Sequence, residues 1–161
     1  MSDERPLAVF DIDGVLADVR HRLHFLEKRP KDWDGFFDAA TEDPPLAEGL
    51  DLARRSAADH EVVYVTGRPE RCRADTTAWF AAHGLPPGRL SMRGGRDRRP
   101  ARVTKPETLR RLAGQRAVAL VVDDDEAVCD AYEAAGWPVL RARWMDNQPL
   151  LIEAQESEGR S

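Results

Sequence analysis

Leu7-Ala8-Val9-Phe10-Asp11-Ile12-Asp13-Gly14-Val15-Leu16 is the stretch whose reading decides the fold. Four apolar residues read as a short buried strand, which delivers two carboxylates two positions apart and then a glycine that lets the backbone turn. Side chains at i and i+2 of an extended segment point the same way. Asp11 and Asp13 therefore face one space and repel each other unless a cation or a proton intervenes, and at neutral pH a cation is the reading.

Working outward, Val19 to Glu27 carries Leu23, Phe25 and Leu26 among polar residues, as a short amphipathic helix would. Pro30 breaks it. Trp33, Phe36 and Phe37 follow and read as core rather than as a substrate platform. After Pro44-Pro45, Leu46, Leu50, Ala53 and Ala57 recur at helical spacing up to His60. Val62 to Val65 is a second buried strand, ending in Thr66-Gly67-Arg68-Pro69, a hydroxyl, a turn and a cation of the kind that holds phosphate. Glu70 to His83 is helical and stops at Gly84, and Leu90 to Met92 is a third strand. Thr104-Lys105-Pro106-Glu107 reads as a helix start capped by Thr104, which places Lys105 at the end the macrodipole disfavours for a cation and so invites a functional explanation. Ala117 to Val122 is continuously apolar, as in the middle of a parallel sheet covered on both faces, and delivers Asp123-Asp124-Asp125. A helix over 126–135 and a strand over 138–140 complete the pattern, leaving 147–161 as a solvated, partly disordered tail behind a single domain over 1–146.

Strands alternating with helices imply an α/β fold, a right-handed doubly wound sheet that binds ligands beyond the carboxyl ends of its strands. Asp11, Thr66 and Asp123 then share one rim. Singly, each of these signals is as well explained by a turn or a helix cap; together, in strand context, they make a site.

The chain has 161 residues, a length for one domain, and a net charge of -5 that argues against a generally basic nucleic-acid coat protein. Cys72 and Cys129 are far apart, form no CxxC and read as buried reduced thiols, which places the protein in the cytoplasm. No run approaches the roughly 20 apolar residues that cross a bilayer, so no membrane partner is expected. His21 and His24 lack a third ligand nearby and read as ordinary surface or substrate-side residues.

An oxygen-only set of carboxylates favours Mg²⁺ over zinc or copper. An aspartate can attack phosphorus and so split one hard displacement into two easier ones, and Asp11, at the strand tip, is the natural nucleophile. Asp13 then serves as general acid and base, on condition that neighbouring negative charge raises its pKa. Thr66, Lys105 and the metal neutralise the transferring phosphoryl group.

With these motifs in this order, the chain resembles the haloacid dehalogenase superfamily of phosphohydrolases. Asp11-Ile12-Asp13-Gly14-Val15-Leu16 matches its first motif, Thr66 its second, Lys105 its third and Asp123-Asp124 its fourth, over nearly all of 7–141. The resemblance implies a Rossmann-like sheet in the order 5-4-1-2-3, Mg²⁺ as cofactor, an aspartyl-phosphate on Asp11, acid/base work by Asp13, and metal ligation by Asp11, the Asp13 carbonyl and Asp123, with Asp124 beside it. Aspartate at both positions of D-x-D favours a phosphatase over a dehalogenase.

Little chain is left for an inserted cap domain, and an open site suits a large substrate. The stretch Arg89, Arg93, Arg96, Arg98, Arg99 and Arg102, against one acid, Asp97, supplies charge for a phosphate backbone. Tyr64-Val65-Thr66-Gly67-Arg68, Trp79, Gly84-Leu85-Pro86 and Met92-Arg93 resemble the 3'-phosphatase domain of bacteriophage polynucleotide kinase-phosphatases. That resemblance implies DNA or RNA 3' ends as partners and Arg22, Arg68 and Arg93 as substrate-phosphate contacts, beside which Gly67 of the strand-end turn and Arg99 of the arginine stretch are further substrate-binding candidates. The chain departs from that subgroup at Pro100-Ala101-Arg102, where an acid is usual, and contains no G-x-x-x-x-G-K-[ST] loop. Two alternatives stand beside this reading: a small-molecule phosphatase such as a 5'(3')-nucleotidase, since D-x-D-G-V-L-A-D also resembles the deoxyribonucleotidase branch, and a non-enzymatic nucleic-acid-binding module. The oligomeric state is open.

Overall fold

A computed structural model describes residues 3–145 and 148–161; Met1 and Ser2, and the expected boundary between domain and tail at 146–147, lie outside them. Five parallel strands, β1 Leu7–Phe10, β2 Glu61–Pro69, β3 Leu90–Arg93, β4 Val118–Asp123 and β5 Val139–Arg141, form one sheet ordered β3-β2-β1-β4-β5. This is the expected order, read from the other edge. β1 is central, with Phe10 in register with Tyr64 on one side and Val122 on the other.

Alternation along β1 separates two cores. Ala8 and Phe10 pack with Leu50, Ala53 and Trp79 from helices α2 (Ala47–Ser56) and α3 (Arg73–Ala82), while Leu7 and Val9 pack with Leu109, Val128 and Tyr132 from α4 (Ala101–Ala113) and α5 (Glu126–Ala134). Between β1 and β2 lie only a 3-10 turn, Arg20–Leu26, the short helix α1 (Trp33–Asp38), a second 3-10 turn and α2, so no cap domain is inserted there. Phe36 and Phe37 are buried as expected; Trp33 is only half-buried.

Three local expectations change. β2 does not turn at Thr66-Gly67 but stays extended to Pro69, which pairs with Arg93; the Arg68 side chain is anchored to Asp13 and holds this stretch against the rim. Helix α4 begins at Ala101, directly behind Pro100, and the backbone N–H of Thr104 already bonds back to Pro100. Lys105 thus sits in the second turn rather than at a cap. Finally, the segment read as a solvated tail folds into a short helix α6 (Pro149–Ile152) and a π-helical turn, Glu153–Ser157. Leu151 and Ala154 fill the core beneath Leu23, Leu26 and Phe36, and burying apolar side chains there offsets the entropy of ordering so polar a stretch.

Candidate active site

Asp11 leaves β1, Thr66 lies near the end of β2 and Asp123 closes β4, so the parallel register sets all three on one rim. Asp11 is 3 % exposed and Asp123 1 %. Lys105 reaches them from α4, with its Nζ 2.7 Å from Asp123 Oδ2 and 3.2 Å from Asp11 Oδ1. Asp11 Oδ1 also accepts the Ile12 backbone N–H, while Asp11 Oδ2 is buried with no partner, as is Asp124 Oδ1. Burial, followed by the Asp123 carboxylate, pushes Asp11 up to about 7 against the pull of Lys105. Burial and the Asp11 and Asp123 charges push Asp124 well above the carboxylate range.

Two orphaned buried oxygens among crowded acids fit a cation. Carboxylate oxygens of Asp11, Asp123 and Asp124 lie within 4.8 Å of one another, and an all-oxygen donor set suits Mg²⁺. Gly14 makes room for this cluster. It adopts φ 82°, and a Cβ there would overlap Asp124 Oδ2. Asp125 does the capping expected of such a run, accepting the Ala127 and Val128 N–H groups at the start of α5, which leaves Asp123 and Asp124 to the site.

Asp13 faces a different environment. Its Oδ1 accepts from Arg68 Nη2 at 2.7 Å, Arg68 Nε at 2.9 Å and Arg22 Nη2 at 3.0 Å, and its Oδ2 accepts from Ser161 Oγ at 2.7 Å. Burial alone would raise its pKa, but the Arg68 and Arg22 guanidiniums outweigh it and hold the carboxyl well below the usual range. The expected upward shift is therefore corrected: positive charge, not negative, surrounds Asp13. Every nitrogen of Arg22 and Arg68 is already bonded, the remainder going to Asp43, Phe36 O and Thr76 Oγ1. Both side chains hold and orient Asp13.

Thr66 Oγ1 accepts the Arg68 N–H, and Thr66, Gly67, Arg93 and Lys105 line one cavity, which Asp11, Asp123 and Asp124 do not line. Arg93, buried at 6 % exposure, donates through Nε to Gly67 O and through Nη1 to Arg99 O, leaving Nη2 without a partner. Arg99 edges the same cavity, but it is exposed and committed to Asp97 and Glu107. His21 bonds Asp43 at 2.6 Å. Cys72 and Cys129 are buried free thiols.

Sequence reasoning missed Asp43 and Ser161. Asp43 is buried between Arg22 and Arg68, at 2.8 and 3.1 Å. Its partners lie 21 and 25 positions away, so no local pattern marks it; the acidic pair Glu42-Asp43 ahead of two prolines was the only signal. Ser161 belongs to the segment read as tail, yet its backbone lies against Gly67, where any Cβ would overlap it.

A family profile described as "Polynucleotide kinase PNKP phosphatase domain" matches residues 6–146. None of the curated proteins matches the chain in sequence. Among solved structures, a chain of the Pnkp1/Rnl/Hen1 RNA repair complex superposes with a TM-score of 0.70 at 22 % identity, covering 87 % of this chain and 44 % of that one. The putative HAD-hydrolase YfnB from Bacillus subtilis, bound to magnesium, superposes at 0.63 and 9 % identity over 88 % and 90 % of the two chains. A hydrolase from Streptococcus pneumoniae TIGR4 superposes at 0.53 and 10 % identity over 94 % and 97 %. The chain thus spans less than half of the Pnkp1 complex chain it resembles. Among the described residues no helix is long and apolar enough to cross a membrane.

Proposed function

Because the chain belongs to the polynucleotide kinase phosphatase-domain family, and is therefore a phosphatase of the haloacid dehalogenase type, we propose that it hydrolyses polynucleotide 3'-phosphate ends through an aspartyl-phosphate on Asp11, with Mg²⁺ as cofactor. The observation that carries the chemistry is the asymmetry of Asp11: Oδ1 is fixed by Ile12 N–H and Lys105, while Oδ2 is buried and unpartnered. A nucleophile held by one oxygen and bare at the other loses no hydrogen bond when it attacks.

In this reading Asp11 Oδ2 forms a bond to phosphorus as the ester P–O bond breaks, and the departing 3'-oxygen takes a proton from Asp13. Water then attacks the phosphoaspartate and gives its proton to the Asp13 carboxylate, and the bond between phosphorus and Asp11 breaks, freeing phosphate. Asp13 starts as a carboxylate because of Arg22 and Arg68, and so can accept the water's proton directly. To serve as acid it must first gain a proton, and a phosphate beside it supplies the upward push. Lys105 and Thr66 place a cation and a hydroxyl beside the transferring group. A magnesium ion held by Asp11, Asp123 and Asp124, when bound, would neutralise both the acids and the phosphoryl oxygens.

The nucleic-acid substrate is supported by the family, by the likeness to the RNA repair chain, and by the absence of a cap domain between β1 and β2. Phosphate release from a 3'-phosphorylated oligonucleotide, compared with release from mononucleotides, tests it. Activity confined to mononucleotides would overturn the end-processing reading in favour of a nucleotidase. An Asp11→Asn variant that still turns over would overturn the nucleophile assignment.

A further inference from the structure

Beside the cavity that Thr66 and Lys105 line lies a second one of about 130 Å³, whose lining includes Trp33, Phe37, Arg93 and Arg160, and Arg71 paired with Asp34 at 3.0 Å. Its size is that of cavities that take a single aromatic ring, about 150 Å³ for benzene. Trp33 and Phe37 are stacked with centroids 6.2 Å apart and 23° between planes, and Arg71 covers Phe37 at 5.4 Å. Arg93 lines both cavities, and its Nη2 is the buried donor with no partner. A half-buried indole among arginines, joined to a phosphate-binding strand end, has the composition of a nucleic-acid base platform.

The residue that covers Trp33 in the cavity wall points the same way. The Arg160 guanidinium lies 5.0 Å over the Trp33 ring, and the next residue, Ser161, reaches Asp13 at 2.7 Å with its backbone against Gly67. A flat cationic group on the indole and a polar group at the proton-transfer carboxylate are thus one residue, about 3.8 Å of chain, apart. A nucleotide carries its base and its 3'-phosphate with the same division of a flat ring and a polar end. The segment holding Arg160 in place is tied by Leu151 and Ala154 in the core, by the Arg160 N–H donating to Ala154 O, and by ion pairs of Lys31 with Glu158 and Glu153 and of Arg102 with Glu156, whose side chains are partly open to water. Exposed pairs of this kind contribute little.

We propose that this cavity is the subsite for the base of the nucleotide bearing the scissile phosphate, stacked on Trp33 with Arg71 and Arg93 beside it, and that Arg160, over the Trp33 ring, and Ser161, on Asp13, compete with that nucleotide from within the chain. This rests on the proposed end-processing function for its substrate class. It adds that the enzyme reads the presence of a base, without reading which base.

The test uses the full chain and two oligonucleotides with 3'-phosphate ends, one ending in an ordinary nucleotide and one in a tetrahydrofuran abasic residue. The wild type should favour the base-bearing end in kcat/KM by about tenfold. Trp33→Ala should remove that preference, and Trp33→Phe should restore most of it. Arg160→Ala, which keeps the backbone N–H bonded to Ala154 O and removes the guanidinium from the Trp33 ring, should raise kcat/KM for the base-bearing end by roughly two- to fivefold. Equal turnover of the two ends by the wild type would overturn the subsite while leaving the end-processing function intact. Equal losses on both ends in Trp33→Ala would reduce Trp33 to a structural role, and an Arg160→Ala variant no faster than wild type would remove the competitor. Activity on neither oligonucleotide, with activity on small esters, would overturn the substrate class and the subsite with it.

Discussion

Asp43→Asn isolates one buried charge whose loss should destabilise the fold more than any surface change. Asp43 is 2 % exposed and accepts from Arg22 Nε and Nη2, Arg68 Nη2 and His21 Nε2, with no contact to Asp11 or the acid cluster among these bonds. Asparagine keeps the shape and removes the charge, so two buried guanidiniums are left opposite Asp13 alone. Removing one partner of a buried ion pair costs about 3–5 kcal/mol, because the remaining charge stays desolvated. For a domain of this length 1 kcal/mol moves the melting temperature by roughly 2–4 °C, so a fall of about 6–20 °C is expected. Thermal unfolding followed by circular dichroism, at constant pH and in excess EDTA, measures it without interference from metal binding. A melting temperature within 2 °C of wild type would refute the reasoning, since the arginines would then be finding solvent or other partners at no cost. The substitution should also free Arg22 and Arg68 to bind Asp13 more closely, depressing its carboxyl further.

Three other outcomes follow from the same geometry. Lys105→Ala removes the cation between Asp11 and Asp123 and should lower kcat by about 10²–10³-fold, the scale for loss of one charge-stabilising donor; initial rates of phosphate release check it, and a loss under tenfold would argue that the metal alone suffices. Gly14→Ala forces a Cβ into Asp124 Oδ2 at φ 82°, so calorimetry should show weaker Mg²⁺ binding by a protein that still folds, and unchanged affinity would remove Asp124 from the ligand set. Asp11, raised from 3.8 to about 7, binds more protons folded than unfolded; its contribution therefore turns unfavourable as pH rises from about 4 to about 7 and stays so above. Because Mg²⁺ must displace that proton, the melting-temperature gain from Mg²⁺ should be larger at pH 8 than at pH 5.5, and equal gains would contradict the assignment.

What the sequence made legible was whatever repeats at short range. The five strands and the rim shared by Asp11, Thr66 and Asp123 followed from apolar runs that end in polar residues, because a parallel sheet needs such runs and places their ends together, whereas the strand order came from the family resemblance. What stayed hidden depended on partners far away in the chain. The sign of the Asp13 shift is set by Arg22 and Arg68, 9 and 55 positions off, and near neighbours in sequence suggested the opposite. Asp43 carries no pattern of its own. Residues 153–161 have the composition of a solvated segment, and what ties them down, Leu151 and Ala154 in the core and Ser161 on Asp13, makes no periodicity. The capping role of Asp125, by contrast, was one of the readings open for the acidic run, and it proved to share that run with the site.

The two carboxylates of the first motif are driven apart by their surroundings: burial and acids push Asp11 up, while two guanidiniums hold Asp13 down. Paired titratable groups with opposed shifts mark acid–base assignments, but here the shifts are the reverse of what the proposed chemistry asks, which is an ionised Asp11 and a protonated Asp13. The reactants correct both at once. A divalent cation among Asp11, Asp123 and Asp124 favours the ionised nucleophile, and a phosphate group arriving beside Asp13 opposes its negative charge and displaces the Ser161 hydroxyl that stabilises it. Metal and substrate together would bring both carboxylates toward the states the proposed chemistry asks. On this account a vanadate or phosphate analogue should bind far more weakly without Mg²⁺ than with it, in wild type and in Arg160→Ala alike, because the coupling lies in the charges around Asp11 and Asp13 and not in the residue over Trp33.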